Sequence, residues 1–501
     1  MSENIFVTVN GKRESVATGL TLSEIVRGEK PCGGHGRCGK CKVKARGLLS
    51  KPTDSELRLL TSEELESGFR LACLTRAIGE CEIETLNSAR GERIVTGGAL
   101  PEFELTPAFE KYGMAIDLGT TTLAARLYNT AGVCIAEISR LNPQQKWGAD
   151  VISRIEASLG GKAGELALAI REELDSMARE LAVTARIDSS DIDGAVITGN
   201  TVMLSLLTEE SVEPFSHAPF DVKRLFGESL TADSLGFSSL DPDTLVYLPP
   251  CISAFVGADT ACAILATELC GNETAMLADI GTNGEIALWQ GGRLTVCSTA
   301  AGPAFEGVGI SMGMRGADGA IDKVSVENGE LAVHVIGGAD PVGICGSGLV
   351  DAVACMLELE IIDESGYLED EEFFIKVPVC LTPKDIRMLQ LAKSAICAGL
   401  MTLIEVVSDT ISSISRLYIA GGFGSYLDRG SAVRIGLIPK DLAERMQAVG
   451  NAALGGAAML LLDVNAREKA ENLARSAVTV DLSSDPVFSE KYMRTMFLEE
   501  I

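Results

Sequence analysis

The chain has 501 residues, of which 46% are hydrophobic, and it carries a formal net charge of −27. This length predicts about two to four globular domains with sizeable cores, and the acidic balance argues against non-specific binding to nucleic acid. No uninterrupted apolar run approaches the ~18 residues that a membrane-spanning helix needs. The first residues lack the basic and apolar regions of a signal peptide, so we expect a cytoplasmic protein that does not enter a membrane.

The N-terminal segment predicts a hairpin followed by a short helix. Residues 5–9 alternate apolar and polar side chains, and Asn10 and Gly11 supply the residues of a two-residue turn. Thr21 stands three residues before Glu24, which predicts a capping box at the start of a helix. Both elements precede a cysteine-rich loop.

Four of the fourteen cysteines are spaced Cys32-x5-Cys38-x2-Cys41-x31-Cys73. Three thiols in one glycine-rich loop indicate a metal centre rather than core packing, because glycines let the backbone wrap closely around metal-bound sulfur. Zinc is the alternative metal, but zinc sites usually pair their ligands in two short loops. Three ligands from one loop and one distant ligand are typical of plant-type [2Fe–2S] sites, although the first spacing here has one extra residue. Residues 1–93 therefore resemble a β-grasp [2Fe–2S] ferredoxin.

The other cysteines predict no further metal ligands. Cys81 falls on an apparent strand, and Cys345 has no histidine or second cysteine nearby in the sequence. Eight others stand singly in apolar segments and are expected to be small core residues: Cys134, Cys251, Cys262, Cys270, Cys297, Cys355, Cys380 and Cys397.

Positive charge is concentrated beside the predicted cluster. Residues 27–46 contain seven Lys or Arg and one Glu, in a chain that is acidic overall. Such a patch suits the docking of an acidic, low-potential electron donor, although it also offsets the negative charge of a cluster. A segment with few periodic apolar positions follows, and residues 94–111 are predicted to be a linker to a large second domain.

Two segments about 160 residues apart repeat one pattern in the large domain. Each has an apolar strand that delivers an aspartate, then a glycine turn, then a second strand. Backbone amides and hydroxyls at such a turn can hold phosphate oxygens, and the aspartate can hold a metal or a water. The repeat implies two homologous half-domains facing a shared cleft. The candidate residues are Asp117, Gly119, Thr120 and Thr121 in the first copy, and Asp279, Gly281, Thr282 and Asn283 in the second.

A third glycine turn ends a later apolar strand and contains Gly421, Gly422 and Gly424. Gly346 lies at the start of a predicted helix, whose N–H groups could meet a phosphate. The three turns together resemble the phosphate-one, phosphate-two and adenosine motifs of the acetate and sugar kinase, Hsp70 and actin (ASKHA) superfamily. This resemblance implies an ATPase domain over residues 112–501 with two RNase H-like lobes, at about 112–275 and 276–501. The predicted fold is thus a mixed α/β and α+β multidomain protein.

A ferredoxin joined to such an ATPase resembles the reductive activators of corrinoid proteins. Shared motifs include Asp117-Leu-Gly-Thr-Thr-Thr122, Asp279-Ile-Gly-Thr-Asn-Gly-Glu285, Ala301-Gly-Pro-Ala-Phe-Glu306 and Ala420-Gly-Gly-Phe-Gly424. The resemblance implies that ATP hydrolysis drives one electron from the [2Fe–2S] cluster to Co(II), regenerating Co(I) in a methyltransferase system. The implied partners are a corrinoid protein and a low-potential electron donor, and a homodimer is plausible.

The same resemblance gives each candidate residue an expected role. Asp279 would orient or deprotonate the attacking water, and Asp117 would hold Mg²⁺ through water. Thr120, Thr121, Thr282 and Asn283 would bind the phosphates of ATP, and Gly421, Gly422 and Gly424 would let adenosine lie close to the backbone. Cys32, Cys38, Cys41 and Cys73 would hold the cluster.

Two other classes of protein remain open from the sequence. A small-molecule kinase with an iron–sulfur regulatory module would transfer phosphate to an acid or a sugar, independently of the oxidation state of the cluster. A redox-sensing adaptor would bind nucleotide to lock its shape, with negligible turnover.

Overall fold

The computed structural model describes residues 4–26, 41–85, 100–101, 103–407 and 410–501. Within these ranges the chain divides into two compact units. Unit one contains the described residues of Met1–Arg90, together with Leu141–Glu173 and Ser205–Pro219. Unit two contains those of Gly91–Arg140, Leu174–Leu204 and Phe220–Ile501. The predicted domain and lobe boundaries remain predictions, and two segments assigned to the first lobe group here with unit one.

The N-terminal part of unit one is a five-stranded sheet in the order β2-β1-β5-β3-β4. The first and last strands, β1 and β5, are parallel neighbours, whereas the hairpin β1–β2 and the pairs β3–β5 and β3–β4 are antiparallel. The elements are β1 Asn4–Val9, β2 Lys12–Ala17, α1 Leu22–Ile25, β3 Lys42–Leu49, α2 Asp54–Leu59, α3 Ser62–Glu66, β4 Phe69–Leu71 and β5 Ala77–Thr85.

Local chemistry explains how this sheet begins. Asn10 and Gly11 have φ values of 47° and 83°, the left-handed conformations that a tight hairpin turn requires. The predicted capping box is present, because the Thr21 side chain accepts from the Glu24 amide and the Glu24 carboxylate accepts from the Thr21 amide. Fully buried Val7, Leu22 and Ile83 form part of the core beneath. The predicted hairpin and helix start are therefore confirmed.

The first half of the large domain contains a six-stranded sheet in the order β10-β11-β9-β6-β7-β8. Its strands are β6 Tyr112–Leu118, β7 Thr122–Asn129, β8 Cys134–Leu141, β9 Ile192–Gly199, β10 Glu228–Thr231 and β11 Leu245–Leu248. Its helices are α4 Val151–Ala157, α5 Ala163–Ala185, α6 Thr201–Leu207 and α7 Ala258–Ala266.

The second half contains another six-stranded sheet, in the order β21-β20-β12-β13-β14-β22. Two smaller sheets, of three and of two strands, belong to the same half. The strands are β12 Ala275–Ile280, β13 Gly284–Gln290, β14 Arg293–Thr299, β15 Ala320–Glu327, β16 Glu330–Val335, β17 Gly343–Ile344, β18 Phe373–Lys376, β19 Val379–Leu381, β20 Arg416–Ala420, β21 Met446–Gly450 and β22 Val478–Thr479. The helices are α8 Gly346–Glu358, α9 Pro383–Val406, α10 Arg429–Arg434, α11 Lys440–Ala443, α12 Ala452–Leu462, α13 Ala466–Ser476 and α14 Pro486–Arg494.

The two large sheets repeat one topology. The sequence β11-β9-β6-β7-β8 in the first corresponds to β21-β20-β12-β13-β14 in the second, with the same parallel and antiparallel pairs around each aspartate hairpin. In both halves the hairpin strand β6 or β12 pairs in parallel with β9 or β20. The structure therefore shows the internal repeat that the two aspartate-and-glycine segments predicted.

Two small-residue helices, α7 and α12, pack against each other at backbone distance. A Cβ atom added to Gly456 of α12 would lie 2.0 Å from the carbonyl oxygen of Cys262 in α7. Any larger residue at 456 would separate the helices, which explains the run of small residues that the sequence places in α12. Helix α7 begins at Ala258, directly after Gly257.

Part of the predicted linker is fixed to unit two. The Thr106 amide donates to Leu462, and the Ala108 amide donates to Leu461. Phe109 is buried, and a Cβ added to Gly113 would lie 2.3 Å from its ring. Of the eight cysteines expected in the core, Cys134 is exposed, so that expectation is wrong for this residue.

Helix α9, Pro383–Val406, is the one helix of the described ranges that is long and apolar enough to cross a membrane, by length and composition alone. Within its most apolar window, 78% is buried inside the protein. Ile386, Leu389 and Ile396 from this helix are fully buried in the main core of unit two. A buried helix of this kind is a core element.

Candidate functional site

The two aspartates occupy equivalent positions in the repeated sheets of unit two. Asp117 is the next-to-last residue of β6, and Asp279 is the next-to-last residue of β12. The turn after each strand is tight, because a Cβ added to Gly119 would lie 2.5 Å from the Thr122 carbonyl oxygen, and the Gly281 amide donates to the Asn283 carbonyl. The predicted strand–turn–strand arrangement is thus present in both copies.

Four half-buried carboxylates influence one another in this region. Burial raises the pKa of Asp117, a hydrogen bond from Asn451 opposes the rise, and the nearby charge of Asp259 adds to it, so that the pKa is about 7. Burial, followed by the charges of Asp259 and Asp117, raises the pKa of Asp279 to about 7. Burial also raises the pKa of Asp259 to about 6 and that of Glu285 well above its usual value. These carboxylates are therefore disfavoured in their charged forms until a cation or donor compensates them.

Two asparagines that cap helices hold the first hairpin in place. Asn200 caps α6 through the Met203 amide and donates from Nδ2 to the Thr120 hydroxyl at 3.0 Å. Asn451 caps α12 through the Leu454 amide and donates from Nδ2 to Asp117 Oδ2 at 2.8 Å. Each asparagine uses its carbonyl for the helix and its amide for the site, so the helix start fixes the orientation of the hairpin side chain.

Glu306 joins the glycine turns of the two hairpins. Its Oε2 accepts from the Thr121 hydroxyl at 2.8 Å, and its Oε1 accepts from the Thr282 hydroxyl at 2.7 Å. Thr121 belongs to the first hairpin and Thr282 to the second, so one carboxylate links residues from both halves of the repeat. The structure therefore brings these two predicted phosphate-binding residues together.

The third glycine turn follows β20 and lies against Asp279. Gly421 has a φ of +89°, and a Cβ added there would lie 2.9 Å from Asp279 Oδ1. Gly424 is buried against Ile419, whereas Gly422 is more accessible in the turn. This close approach of the turn to the carboxylate explains the need for glycine at 421.

Gly346 begins α8, as predicted, and it packs directly against the backbone of the loop that contains Phe305. A Cβ there would lie 2.0 Å from the Phe305 carbonyl oxygen, so glycine is required for packing at this position. Phe305 in turn stacks on Phe423 of the third turn, with ring centroids 4.5 Å apart and planes at 26°. The loop that carries Glu306 therefore contacts both α8 and the third glycine turn.

The carboxylates of this site fit a metal ion that takes its remaining ligands from water and from a bound phosphate. Among the residues that the structure describes, no group of three or more His, Cys, Asp or Glu converges closely enough to hold a metal ion directly. Mg²⁺ usually keeps several waters and binds to one or two carboxylates plus substrate phosphates. The donor set around Asp117 is compatible with that mode.

The raised pKa values predict that the protein without Mg²⁺ becomes less stable as pH rises. Because the pKa of Asp117 is about 7 in the fold and about 3.9 when unfolded, the folded state binds more protons between these values, and stability is lost as pH increases towards 7. We expect Asp117→Asn to raise Tm at pH 8 by ~1 °C, because ~1 kcal/mol is left after solvent screening and the same free energy shifts Tm less in a larger domain. Thermal melts at pH 5.5 and 8 measure this.

Exposed Asp340 provides the matched control for that experiment, since Asp340→Asn removes the same charge away from the site. A Tm gain for Asp117→Asn that is equal at both pH values, or a loss at pH 8, would contradict the electrostatic account.

Two of the four predicted cluster ligands lie in the described part of unit one. Cys41 and Cys73 are both buried thiols, with their Sγ atoms 3.2 Å apart, and they are not joined by a disulfide. The Cys73 thiol, through its hydrogen bond, lowers the pKa of Cys41 to about 7 against the opposing effect of burial. Thiolate is the form that binds metal, so this pair fits a shared metal centre. Cys32 and Cys38 lie outside the described residues.

The turn that carries Cys73 is held by a buried ion pair. Arg70 donates from Nε and Nη2 to the two carboxylate oxygens of Glu56, at 3.0 and 3.2 Å. Glu56 Oε1 also accepts from the Leu71 amide at 3.2 Å and from the Thr75 hydroxyl at 2.7 Å. Burial alone would raise the pKa of Glu56, but these hydrogen bonds together lower it. A charged Glu56 therefore fixes the residues on both sides of Cys73.

Breaking this ion pair should loosen the cluster domain. Glu56→Gln leaves the buried Arg70 guanidinium without a counter-charge, and such changes cost about 3 kcal/mol. Glu64→Gln is the matched control, because its ion pair with Lys42 is roughly 30% exposed on both sides and is worth under ~1 kcal/mol. We expect visible cluster absorption to be lost at a clearly lower temperature in Glu56→Gln. An equal decrease in the two variants would show that burial of the pair does not matter.

The class of protein follows from the fold together with the known protein families that the sequence matches. Residues 7–77 match the 2Fe-2S iron-sulfur cluster binding domain. Residues 112–272 match the RACo middle region, and residues 273–501 match the C-terminal domain of RACo, the ASKHA domain. The protein is thus an iron–sulfur ferredoxin joined to an ASKHA-type domain, which confirms the predicted fold class.

Similar proteins identify the family within this class. The chain is 34% identical over 448 residues to the corrinoid activation enzyme RamQ of Eubacterium limosum, covering 81% of this chain and 74% of the relative. It is 26% identical over 418 residues to the [Co(II) methylated amine-specific corrinoid protein] reductase of Methanosarcina barkeri, covering 76% of each. A solved reductive activator for a corrinoid, iron–sulfur protein superposes with a TM-score of 0.73 at 27% identity, covering 99% of this chain and 98% of that one. The chain belongs to the family of reductive activators of corrinoid proteins.

Sequence reasoning did not select several residues that the structure places at the site. These are Asn200, Asp259, Glu285, Glu306 and Asn451. Four of them stand in or beside glycine-containing motifs, and Asn451 follows Gly450 at the start of a small-residue helix. The sequence pattern that could have identified these residues is an acidic or amide side chain next to a glycine turn.

Proposed function

We propose that this protein is an ATP-dependent reductive activator of a corrinoid protein, in which ATP hydrolysis drives one-electron transfer to the partner's Co(II) and regenerates Co(I). The observation that carries this proposal is the repeated aspartate-and-glycine hairpin of unit two, where Asp117, Asp279 and the Glu306-linked hydroxyls lie in one chain with the paired thiols of Cys41 and Cys73. Family membership supports the same reaction.

The residues of unit two would bind and position ATP. Asp279 would orient the attacking water or accept its proton, and Asp117 would hold Mg²⁺ through water, because hydrolysis depends mainly on positioning and charge neutralisation. The other proposed contacts divide by ligand group. Thr120, Thr121, Thr282 and Asn283 would bind phosphates, with Gly119, Gly281 and the α8 start at Gly346 beside them, and Gly421, Gly422 and Gly424 would border adenosine.

The four cysteines would hold the electron carrier. Cys32, Cys38, Cys41 and Cys73 would hold a [2Fe–2S] cluster, which serves as a one-electron carrier when bound. Reduction of Co(II) runs uphill from common donors, and for a one-electron step each 59 mV changes the equilibrium tenfold. ATP can help only by binding two conformations differently, so we propose that closure around nucleotide changes how the corrinoid protein is held.

The proposed partners are a corrinoid protein of a methyltransferase system and a low-potential electron donor, and a homodimer is compatible with this function. Hydrolysis of ATP by the reduced protein, measured without oxygen, should increase when a Co(II) corrinoid protein is added. If the protein instead formed a phosphorylated acid or sugar, it would be a kinase. Stoichiometric nucleotide binding without turnover would mark it as an adaptor.

A further inference from the structure

Glu306 occupies the hydroxyl groups that a phosphate would need. Each threonine hydroxyl has one proton to donate, and in this structure both protons point at Glu306, from Thr121 at 2.8 Å and from Thr282 at 2.7 Å. A phosphate oxygen cannot receive the same protons while the carboxylate holds them. Two anions therefore compete for one pair of donors.

The loop that presents Glu306 is fixed by packing. Gly302 and Gly307 on either side of it have positive φ values of 79° and 74°, which favour glycine. A Cβ added to Gly307 would lie 2.6 Å from the backbone of Met314, so the loop is pressed against its neighbour. The preceding Phe305 is buried and stacks on Phe423. The backbone of this loop therefore holds the Glu306 carboxylate beside the two hydroxyls.

We propose that Glu306 is a latch that joins the two glycine turns through the hydroxyls of Thr121 and Thr282 and that nucleotide phosphate must displace. The proposal rests on the proposed function, since it assigns a role within the same ATP site. Displacement exchanges the Glu306 link between Thr121 and Thr282 for contacts of both hydroxyls with phosphate, so phosphate binding and opening of the Glu306 latch become one event.

The latch has a measurable consequence for affinity. Hydrogen bonds to a charged group are stronger than hydrogen bonds between neutral groups. The hydrogen bonds from Thr121 and Thr282 to Glu306 must break when phosphate binds. Removing the latch should therefore tighten the binding of a nucleotide that carries phosphates. It should leave adenosine unaffected, because adenosine has no phosphate to compete for the hydroxyls.

The experiment measures Kd by calorimetry for Mg²⁺ with AMPPNP, a non-hydrolysable ATP analogue, and separately for adenosine. We expect Glu306→Ala to tighten AMPPNP binding about tenfold, which corresponds to about 1.4 kcal/mol, with no change for adenosine. Glu306→Gln, which keeps the size but loses the charge and one acceptor, should give an intermediate gain. Glu330→Gln removes an exposed charge elsewhere and should leave both affinities unchanged.

A double-mutant cycle separates a latch from a merely structural role. Thr121→Val should weaken AMPPNP binding more strongly in the Glu306→Ala background than in the wild type, because only there is the hydroxyl released before phosphate arrives. AMPPNP binding that is unchanged or weaker in both Glu306 variants, while the wild type binds normally, would overturn the latch and leave the ATP site intact. If neither wild type nor variants bound AMPPNP, the proposed function would fail with it.

Discussion

Asp279→Asn should reduce ATP hydrolysis by about 10²–10⁴-fold, the range expected when a general base or water-orienting carboxylate is removed. Nucleotide binding should remain as tight or become tighter, because Asn has the same shape and removes a charge that Asp259 and Asp117 repel. Steady-state hydrolysis and the Kd of AMPPNP, measured on the same preparations, separate the two effects.

The pH profile gives the same experiment a second readout. Since burial raises the pKa of Asp279 to about 7, hydrolysis by the wild type should increase as pH rises through about 7, where the carboxylate loses its proton. Asp279→Asn should lack this increase, whereas the exposed control Asp340→Asn should keep both the rate and the profile. A variant that loses nucleotide binding and hydrolysis in parallel would assign Asp279 to binding and not to the chemical step.

Cys41→Ser should remove the [2Fe–2S] cluster, with loss of the red-brown visible absorption and of bound iron. The physical reason is that a thiolate ligand is replaced by a hydroxyl, which stays protonated near neutral pH and binds iron weakly. Cys41 faces Cys73 at 3.2 Å, so Cys73→Ser should have the same effect. Iron content and visible spectra of protein purified without oxygen measure the outcome.

Cys81→Ser is the matched control for the cluster prediction. Cys81 is also buried in the same domain, but it lies on β5, where Val7 is its parallel partner, and burial raises the pKa of its thiol. We expect this variant to keep its iron. If Cys81→Ser lost the cluster while Cys41→Ser retained it, the predicted ligand set would be wrong.

Residues whose role depends on local backbone could be predicted from the sequence. An aspartate at the end of an apolar strand, followed by a glycine turn, places Asp117 and Asp279 without any long-range information. The same holds for the hairpin at Asn10 and for the capping box at Thr21. In each case neighbouring residues alone decide the conformation.

Residues whose role depends on distant partners could not be predicted in this way. Glu306 meets Thr121 across 185 positions, and Asn451 meets Asp117 across 334. Only the folded sheets bring these side chains together, and neither residue has a local pattern that names its partner. The start of α7 also involves a distant segment. A Cβ added to Gly257, the residue before this helix, would lie 2.5 Å from the Cα of Asn200, so this glycine packs against a distant backbone.

We propose that nucleotide turnover in unit two controls when the electron reaches cobalt. The most direct test mixes the reduced protein with a Co(II) corrinoid protein in the absence of oxygen and follows the absorbance of Co(I). We predict that Co(I) appears after addition of Mg²⁺ and ATP but not after addition of Mg²⁺ and AMPPNP. Equal formation of Co(I) with and without nucleotide, or none under any condition, would contradict the account.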